Sequence, residues 1–377
     1  MSARDWERRL AEEESRGLRR RLPPPRAADG HVDLSSNDYL GLRRDPRVLA
    51  AAHRALDAEG AGAGASRLVG GNARAHVELE EDLAALKRAE AALVFSSGYA
   101  ANLGLLTAIS EPEDVILCDR LDHASLVDGA RLARAELRFY HHGDVDHLRR
   151  QLRRSQGRGR IWIATDGVFS MDGVLAPLPG LVAAAEEFDA TVIVDDAHAT
   201  GVVGPGGAGT VRHFDVDPAR VIQMGTLSKA LGAQGGFVAG PRSLIDWLVQ
   251  GARSLIYSTG LAPPVAAQAR EAIAVARTDD ALRARRAANF GRLVDGLRAQ
   301  GWTVWGEAPA PMFAVIVDGP DAAVDLSRAL AADGVIAPAI RPPTVPRASC
   351  RIRLAPTAAM DDAALDRVLE AFARQRS

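Results

Sequence analysis

The chain is poor in cysteine, in net charge and in long apolar runs, and each shortage removes a class of protein. Only two cysteines, Cys118 and Cys350, occur among 377 residues. Two lone thiols make neither a disulfide framework nor a metal-ligand spacing, so no metal site is expected and a reducing cytoplasm suits the chain. Lys and Arg number 46 against 48 Asp and Glu, a formal net charge of −2. A general nucleic-acid binder carries a basic surplus that is missing here. No apolar stretch approaches the roughly 18 uninterrupted residues of a membrane helix. The first residues mix Arg and Glu without an apolar core, so no secretion signal is expected.

What is present reads as a globular enzyme, with 47% hydrophobic and 25% charged residues. The length exceeds what one core organises, so three parts are expected. They are an N-terminal helix and strand segment (1–45), a large domain (46–275) and a small C-terminal domain (276–377). The N-terminal part begins with a charge-laced helix from Arg4 to Arg21, stopped by Pro23-Pro24-Pro25. In the large part, helix-length segments alternate with short apolar runs at 92–95, 114–118, 138–140, 161–165, 191–194, 221–224 and 236–239. This pattern predicts an α/β fold whose large, mostly parallel sheet is covered by helices on both faces. After residue 275 come a long Ala/Arg helix, short strands at 312–317 and 352–354, and further helices. A smaller α+β domain follows from that change.

The polar motifs fall where such sheets bind ligands, just past the carboxyl ends of the strands. One run ends in Asp195-Asp196-Ala197-His198 and another in Gly225-Thr226-Leu227-Ser228-Lys229. A lysine set between an apolar strand and a small-residue segment loses solvation, which makes it a nucleophile and base. A carboxylate near it suits the ring nitrogen of a pyridine cofactor. An Asp at a strand end commonly caps a helix instead. In company with His198 and Lys229 the cofactor role takes precedence, with Asp195 as the ring partner. The chemistry suggested is that of pyridoxal phosphate (PLP).

Other residues fit the same picture. Ser96-Ser97-Gly98-Tyr99 joins a strand to a helix, whose free N–H groups suit a phosphate, and the Thr226 hydroxyl is a second phosphate element. His123 and Ser170 each follow a strand and are candidates to meet the cofactor, as is His198; for either histidine the alternative is a satisfied structural residue. Arg351 and Arg353 share one strand face by their spacing. An arginine there would clamp a carboxylate through two parallel bonds, although a lone Arg-x-Arg is more often an exposed edge pair.

Together, Ser36-Asn37-Asp38-Tyr39-Leu40-Gly41-Leu42, Asp195-Asp196-Ala197-His198 and Gly225-Thr226-Leu227-Ser228-Lys229 resemble the α-oxoamine synthases. These are PLP-dependent transferases of fold type I, with a seven-stranded type of central sheet. The resemblance runs from the N-terminal helix to about residue 370. Within the family, Ile340-Arg341-Pro342-Pro343-Thr344-Val345-Pro346 looks like the members that condense L-alanine with a pimeloyl thioester on the way to biotin. The acyl group would come from pimeloyl-CoA or a pimeloyl-carrier protein. Glycine with acetyl-CoA is the alternative pair within the family, and a PLP-binding protein without catalysis is the alternative class.

The resemblance implies that Lys229 holds PLP covalently, Asp195 pairs with the ring nitrogen and His123 stacks on the ring. Ser170 and His198 would bond to the cofactor, with Gly98, Tyr99 and Thr226 around its phosphate. Arg19, Asn37, Thr344 and Arg353 would contact substrates. Thr259 would reach the phosphate of a second subunit, since the family forms homodimers with shared sites.

Overall fold

The computed structural model describes residues 3–16, 18–19, 22 and 30–376. The chain divides into two compact units, Met1–His31 and Val32–Ser377. In the first, a helix spans Ala3–Ser15, with an ion pair between Arg8 and Glu12 one turn apart. It ends earlier than the expected Arg21. Arg20, Arg21 and Pro23-Pro24-Pro25 lie outside the described residues.

The second unit holds all the strands of the described residues. β1 (Val32–Asp33) precedes seven strands of the central sheet: β2 (Ala91–Phe95), β3 (Val115–Asp119), β4 (Glu136–Tyr140), β5 (Ile161–Asp166), β6 (Thr191–Asp195), β7 (Val221–Thr226) and β8 (Gly236–Gly240). Their order is β2-β8-β7-β6-β5-β3-β4. Every pairing is parallel except those of β8, which runs antiparallel to β7 and β2. The reason is connection length. Residues 227–235 separate β7 from β8, too few for the crossover of a dozen or more residues that a parallel pair needs.

Alternation along β2 shows why both faces are covered. Ala91, Leu93 and Phe95 enter one apolar cluster, with Leu105 and Leu106 of the helix Gly98–Ile109. Ala92 and Val94 enter another, with Leu79 and Leu83 of the helix Arg74–Lys87. Successive side chains point to opposite faces, so one strand serves two cores. Among the described residues, no helix is long and apolar enough to cross a membrane.

β9 (Val304–Trp305), β10 (Phe313–Ile316), β12 (Ala339–Ile340) and β13 (Arg351–Leu354) form an antiparallel sheet ordered β12-β13-β10-β9. β11 (Val335–Ile336) pairs in parallel with β1. Val32 and Leu34 therefore sit in the same core as Phe290, Leu293, Phe313, Ile352 and Phe372. The short segment that the sequence groups with the N-terminal helix packs against C-terminal residues. The Ala/Arg stretch is two helices, Pro263–Thr278 and Asp280–Ala299. Ala266, Ala269 and Ala272 of the first join the core beside the large sheet. Phe290, Leu293 and Leu297 of the second join the C-terminal core.

Candidate active site

Parallel pairing sets Asp166 beside Asp195 at the ends of β5 and β6. The next polar turns, after β2, β3 and β7, open at the same sheet edge. A cavity of about 210 Å³ lies there, lined by Ser97, Gly98, Tyr99, His123, Ser125, Asp166, Asp195, Ala197, His198, Met224, Thr226, Ser228 and Lys229. Of the residues singled out in sequence, seven meet in this wall: Gly98, Tyr99, His123, Asp195, His198, Thr226 and Lys229.

The two adjacent aspartates have different surroundings. Asp196 is fully buried and is occupied by Lys87, whose Nζ donates to Oδ2 over 2.9 Å, and by the Thr210 hydroxyl, which donates to Oδ1 over 2.6 Å. Gly209 adopts a positive φ of 105°, and a Cβ there would overlap the Asp196 carboxylate. Asp195 is buried too, yet borders the cavity. Its Oδ1 accepts from the Ala197 N–H over 2.9 Å and its Oδ2 from Asn102 Nδ2 over 2.7 Å. Asp195, not Asp196, is the carboxylate available to a ligand.

Lys229 has no hydrogen-bond partner for its amine among the described residues, and its pKa is pulled down to about 8. Burial is the main cause, opposed by the charges of Asp195 and Asp166 and assisted by Arg353. The Asp166 carboxyl is pushed well up, mainly by burial and then by Asp195. His198 is buried and driven well below the usual imidazole range by desolvation, with Lys229 and Arg353 adding to it. His123 is also lowered, by desolvation first, while Asp195 pulls the other way.

At the opposite wall, Ser97 caps the helix Gly98–Ile109, its hydroxyl accepting from the Ala100 N–H over 3.1 Å. The first N–H groups of that helix lack intrahelical partners. Thr226 and Ser228 bring two hydroxyls, 2.8 Å apart. A Cβ on Gly236 would lie 2.5 Å from Gly98 N, so glycine at the start of β8 lets the Gly98 turn approach. Tyr99 is half-exposed, its hydroxyl donating to Asp128 over 2.8 Å.

A second group joins the cavity through His198. Its Nδ1 is 2.7 Å from the Tyr39 hydroxyl. Arg353 Nη2 donates to Asn37 Oδ1 over 3.0 Å, and its Nε to the Ser170 carbonyl over 2.6 Å. Burial pushes the Tyr39 hydroxyl up to about 12, so it remains a neutral donor. Arg351 and Arg353 are 3% and 5% exposed because β13 is an inner strand, which removes the alternative of an exposed edge pair. Arg351 lies 3.6 Å from Asp172, leaving Arg353 as the arginine linked to the cavity.

Five sequence candidates of the Val32–Ser377 unit lie outside the cavity wall: Asn37 and Arg353 of this second group, and Ser170, Thr259 and Thr344. Ser170 meets Arg353 through its carbonyl, and its side chain is not in the cavity wall. Thr259 is exposed and forms an isolated bridge with Ser66. Thr344 is exposed in a turn, its N–H donating to the Arg341 carbonyl over 3.1 Å. Arg19, in the Met1–His31 unit, pairs with Glu14 over 3.0 Å. Tyr39, Asn102, Ser125, Asp166 and Ser228 were not singled out by sequence. Asn102 follows Gly98 by one helical turn and Ser125 follows His123 by two residues, signals that become meaningful only once the partner strands are placed.

The donor set fits PLP. An amine of lowered pKa, a buried carboxylate held by donors, and a hydroxyl-lined helix N-terminus border one small cavity. These are the groups that a pyridine aldehyde bearing a phosphate requires.

Known proteins agree. The family described as aminotransferase class I and II matches residues 29–372. An 8-amino-7-oxononanoate synthase of Geobacter sulfurreducens is 45% identical over 345 residues, 91% of this chain and 88% of that protein. The structure of a Francisella tularensis protein of the same name superposes with a TM-score of 0.80 at 25% identity, covering 92% of this chain and 98% of that one. A serine palmitoyltransferase from S. paucimobilis, with PLP and myriocin bound, gives 0.92 at 28% identity, covering 98% and 96%.

Proposed function

Because the chain belongs to the aminotransferase class I and II family, we propose that it is a PLP-dependent acyltransferase condensing L-alanine with a pimeloyl thioester. The products are 8-amino-7-oxononanoate, carbon dioxide and the free thiol, a step of biotin biosynthesis. The names of its relatives support the substrates, and the pairing of Lys229 with Asp195 at one cavity carries the chemistry.

PLP, when bound, supplies an electron-withdrawing pyridine ring and an aldehyde carbon. Lys229 holds it through the ε-amino group, which near pH 8 is substantially the uncharged nucleophile. Lys229 Nζ, as a free amine, would take the α-proton of alanine. Asp195 keeps the ring nitrogen protonated, and Asn102 keeps the Asp195 carboxylate turned to its task. His198 would bond to the ring hydroxyl, His123 would cover the ring face and donate a proton to the thioester oxygen, and Ser170 would support the site through its carbonyl bond to Arg353. Gly98, Tyr99 and Thr226 hold the phosphate, with Thr259 contributed by a second copy in a homodimer. Arg353 and Asn37 orient the alanine carboxylate, their mutual hydrogen bond fixing the guanidinium plane. Thr344 contacts a substrate. The enzyme works in the cytoplasm, where its two buried thiols stay reduced.

Mass spectrometry of the product from L-alanine and pimeloyl-CoA tests this reading. Formation of 8-amino-7-oxononanoate with release of one thiol is the expected result. Turnover with glycine and acetyl-CoA but none with this pair would replace the substrates while keeping the chemistry.

A further inference from the structure

Asp195 and His123 lie on different strand ends, yet an unbroken chain of hydrogen bonds joins them through two buried side chains. We infer that Asn102 and Ser125 are positioning residues that hold His123 in a single tautomer, with Nδ1 bare and the proton on Nε2. The inference rests on the roles of Asp195 and His123 proposed above.

Asn102 is completely buried. One of its amide protons goes to Asp195 Oδ2 over 2.7 Å and the other to Ser125 Oγ over 2.8 Å. The amide has only one sensible orientation, because an ionised carboxylate accepts and never donates. Its oxygen has no hydrogen-bond partner. A buried orphan oxygen is destabilising, so apolar packing alone would favour leucine at this position. The two donors are what the asparagine adds.

The direction of the chain follows from donor counting. Ser125 Oγ, already accepting from Asn102, has its own proton to give, and His123 Nδ1 is 2.8 Å away. The Ser125 backbone N–H also points at Nδ1, over 3.2 Å. A backbone N–H only donates, so Nδ1 holds a lone pair and a neutral ring carries its proton on Nε2. The main chain is pinned as well, since the His123 N–H donates to Asp166 Oδ2 over 3.2 Å. His123 thus presents a hydrogen-bond donor at Nε2. That is the form needed to stabilise an acyl oxygen as it gains negative charge. The opposite tautomer would present a lone pair to that oxygen.

The test is imidazole nitrogen NMR on the full-length, PLP-loaded protein labelled with ¹⁵N-histidine, the His123 signals being assigned by their loss in His123→Gln. Wild type is expected to show a pyridine-like Nδ1 and a pyrrole-like Nε2. Ser125→Ala and Asn102→Leu should move both nitrogens part of the way toward the averaged pattern of mixed tautomers, the longer Ser125 backbone N–H contact remaining at Nδ1, and lower turnover by about tenfold, while Ser125→Thr restores the wild-type pattern. Should Asn102→Leu fail to fold, Ser125→Ala, which removes a single oxygen, decides the matter alone. A wild-type His123 with its proton on Nδ1 or spread over both nitrogens would overturn the inference, as would an unchanged pattern in Ser125→Ala. Normal turnover of His123→Gln would instead remove the proposed role of His123, leaving the tautomer result to stand or fall by its own signals.

Discussion

Two lysine–aspartate pairs, drawn from one Asp195-Asp196 dipeptide, do opposite things in this molecule. Lys87 and Asp196 are both fully buried and 2.9 Å apart, with Ala208 and Thr210 taking up further bonding capacity. Lys229 and Asp195 face a cavity, interact through charge and make no direct hydrogen bond. In the first pair both carboxylate oxygens accept and Lys87 Nζ donates twice, all away from the cavity. In the second the lysine is desolvated without being neutralised by a contact, which is what brings its pKa to about 8. Residue type does not separate structure from chemistry here; saturation of the hydrogen bonds does.

The comparison can be broken most sharply at the lysines. Lys229→Ala should reduce turnover to background while thermal unfolding stays near wild type, as read by steady-state assay and calorimetry. Lys87→Met should do the reverse, leaving Asp196 charged and unpaired at a cost of about 3–5 kcal/mol in chemical denaturation. If Lys87→Met were stable and inactive, the assignment of the two pairs would be inverted. Asp195→Asn comes next, with a loss of roughly a hundredfold in kcat, or about 2.7 kcal/mol of barrier, and retained PLP affinity. The smallest effect concerns pH. The neutral amine is the nucleophile, so the rate at which PLP joins the apoprotein should rise as pH passes through about 8 and level off above it. Asp195 holds the Lys229 pKa up, so Asp195→Asn should shift that midpoint to lower pH. Stopped-flow absorbance across a pH series measures both. A midpoint near the ordinary lysine value would contradict the desolvated site.

The strands and the ends at which chemistry gathers were legible in sequence because each is a short apolar run closed by polar residues. Asp195, His198, Thr226 and Lys229 could be named for that reason. The antiparallel reversal of β8 was hidden in a connection length, visible only once both strand ends are fixed. The Asn102–Asp195 bond spans 93 residues and Tyr39–His198 spans 159, separations over which no local pattern operates. Arg353 could be named but its burial could not, since strand order decides which strand lies inside. Asp166 matches Asp195 only through the parallel register of β5 and β6. Local motifs therefore revealed the groups that face the ligand, and topology revealed the groups that hold them.

The central claim is that Lys229, and not Lys87, carries the cofactor. Incubating the full-length protein with PLP, reducing it with borohydride and mapping the modified peptide by mass spectrometry tests that claim directly. A single pyridoxyl-phosphate adduct on Lys229 is the expected result. An adduct at another lysine, or none at all, would contradict the account.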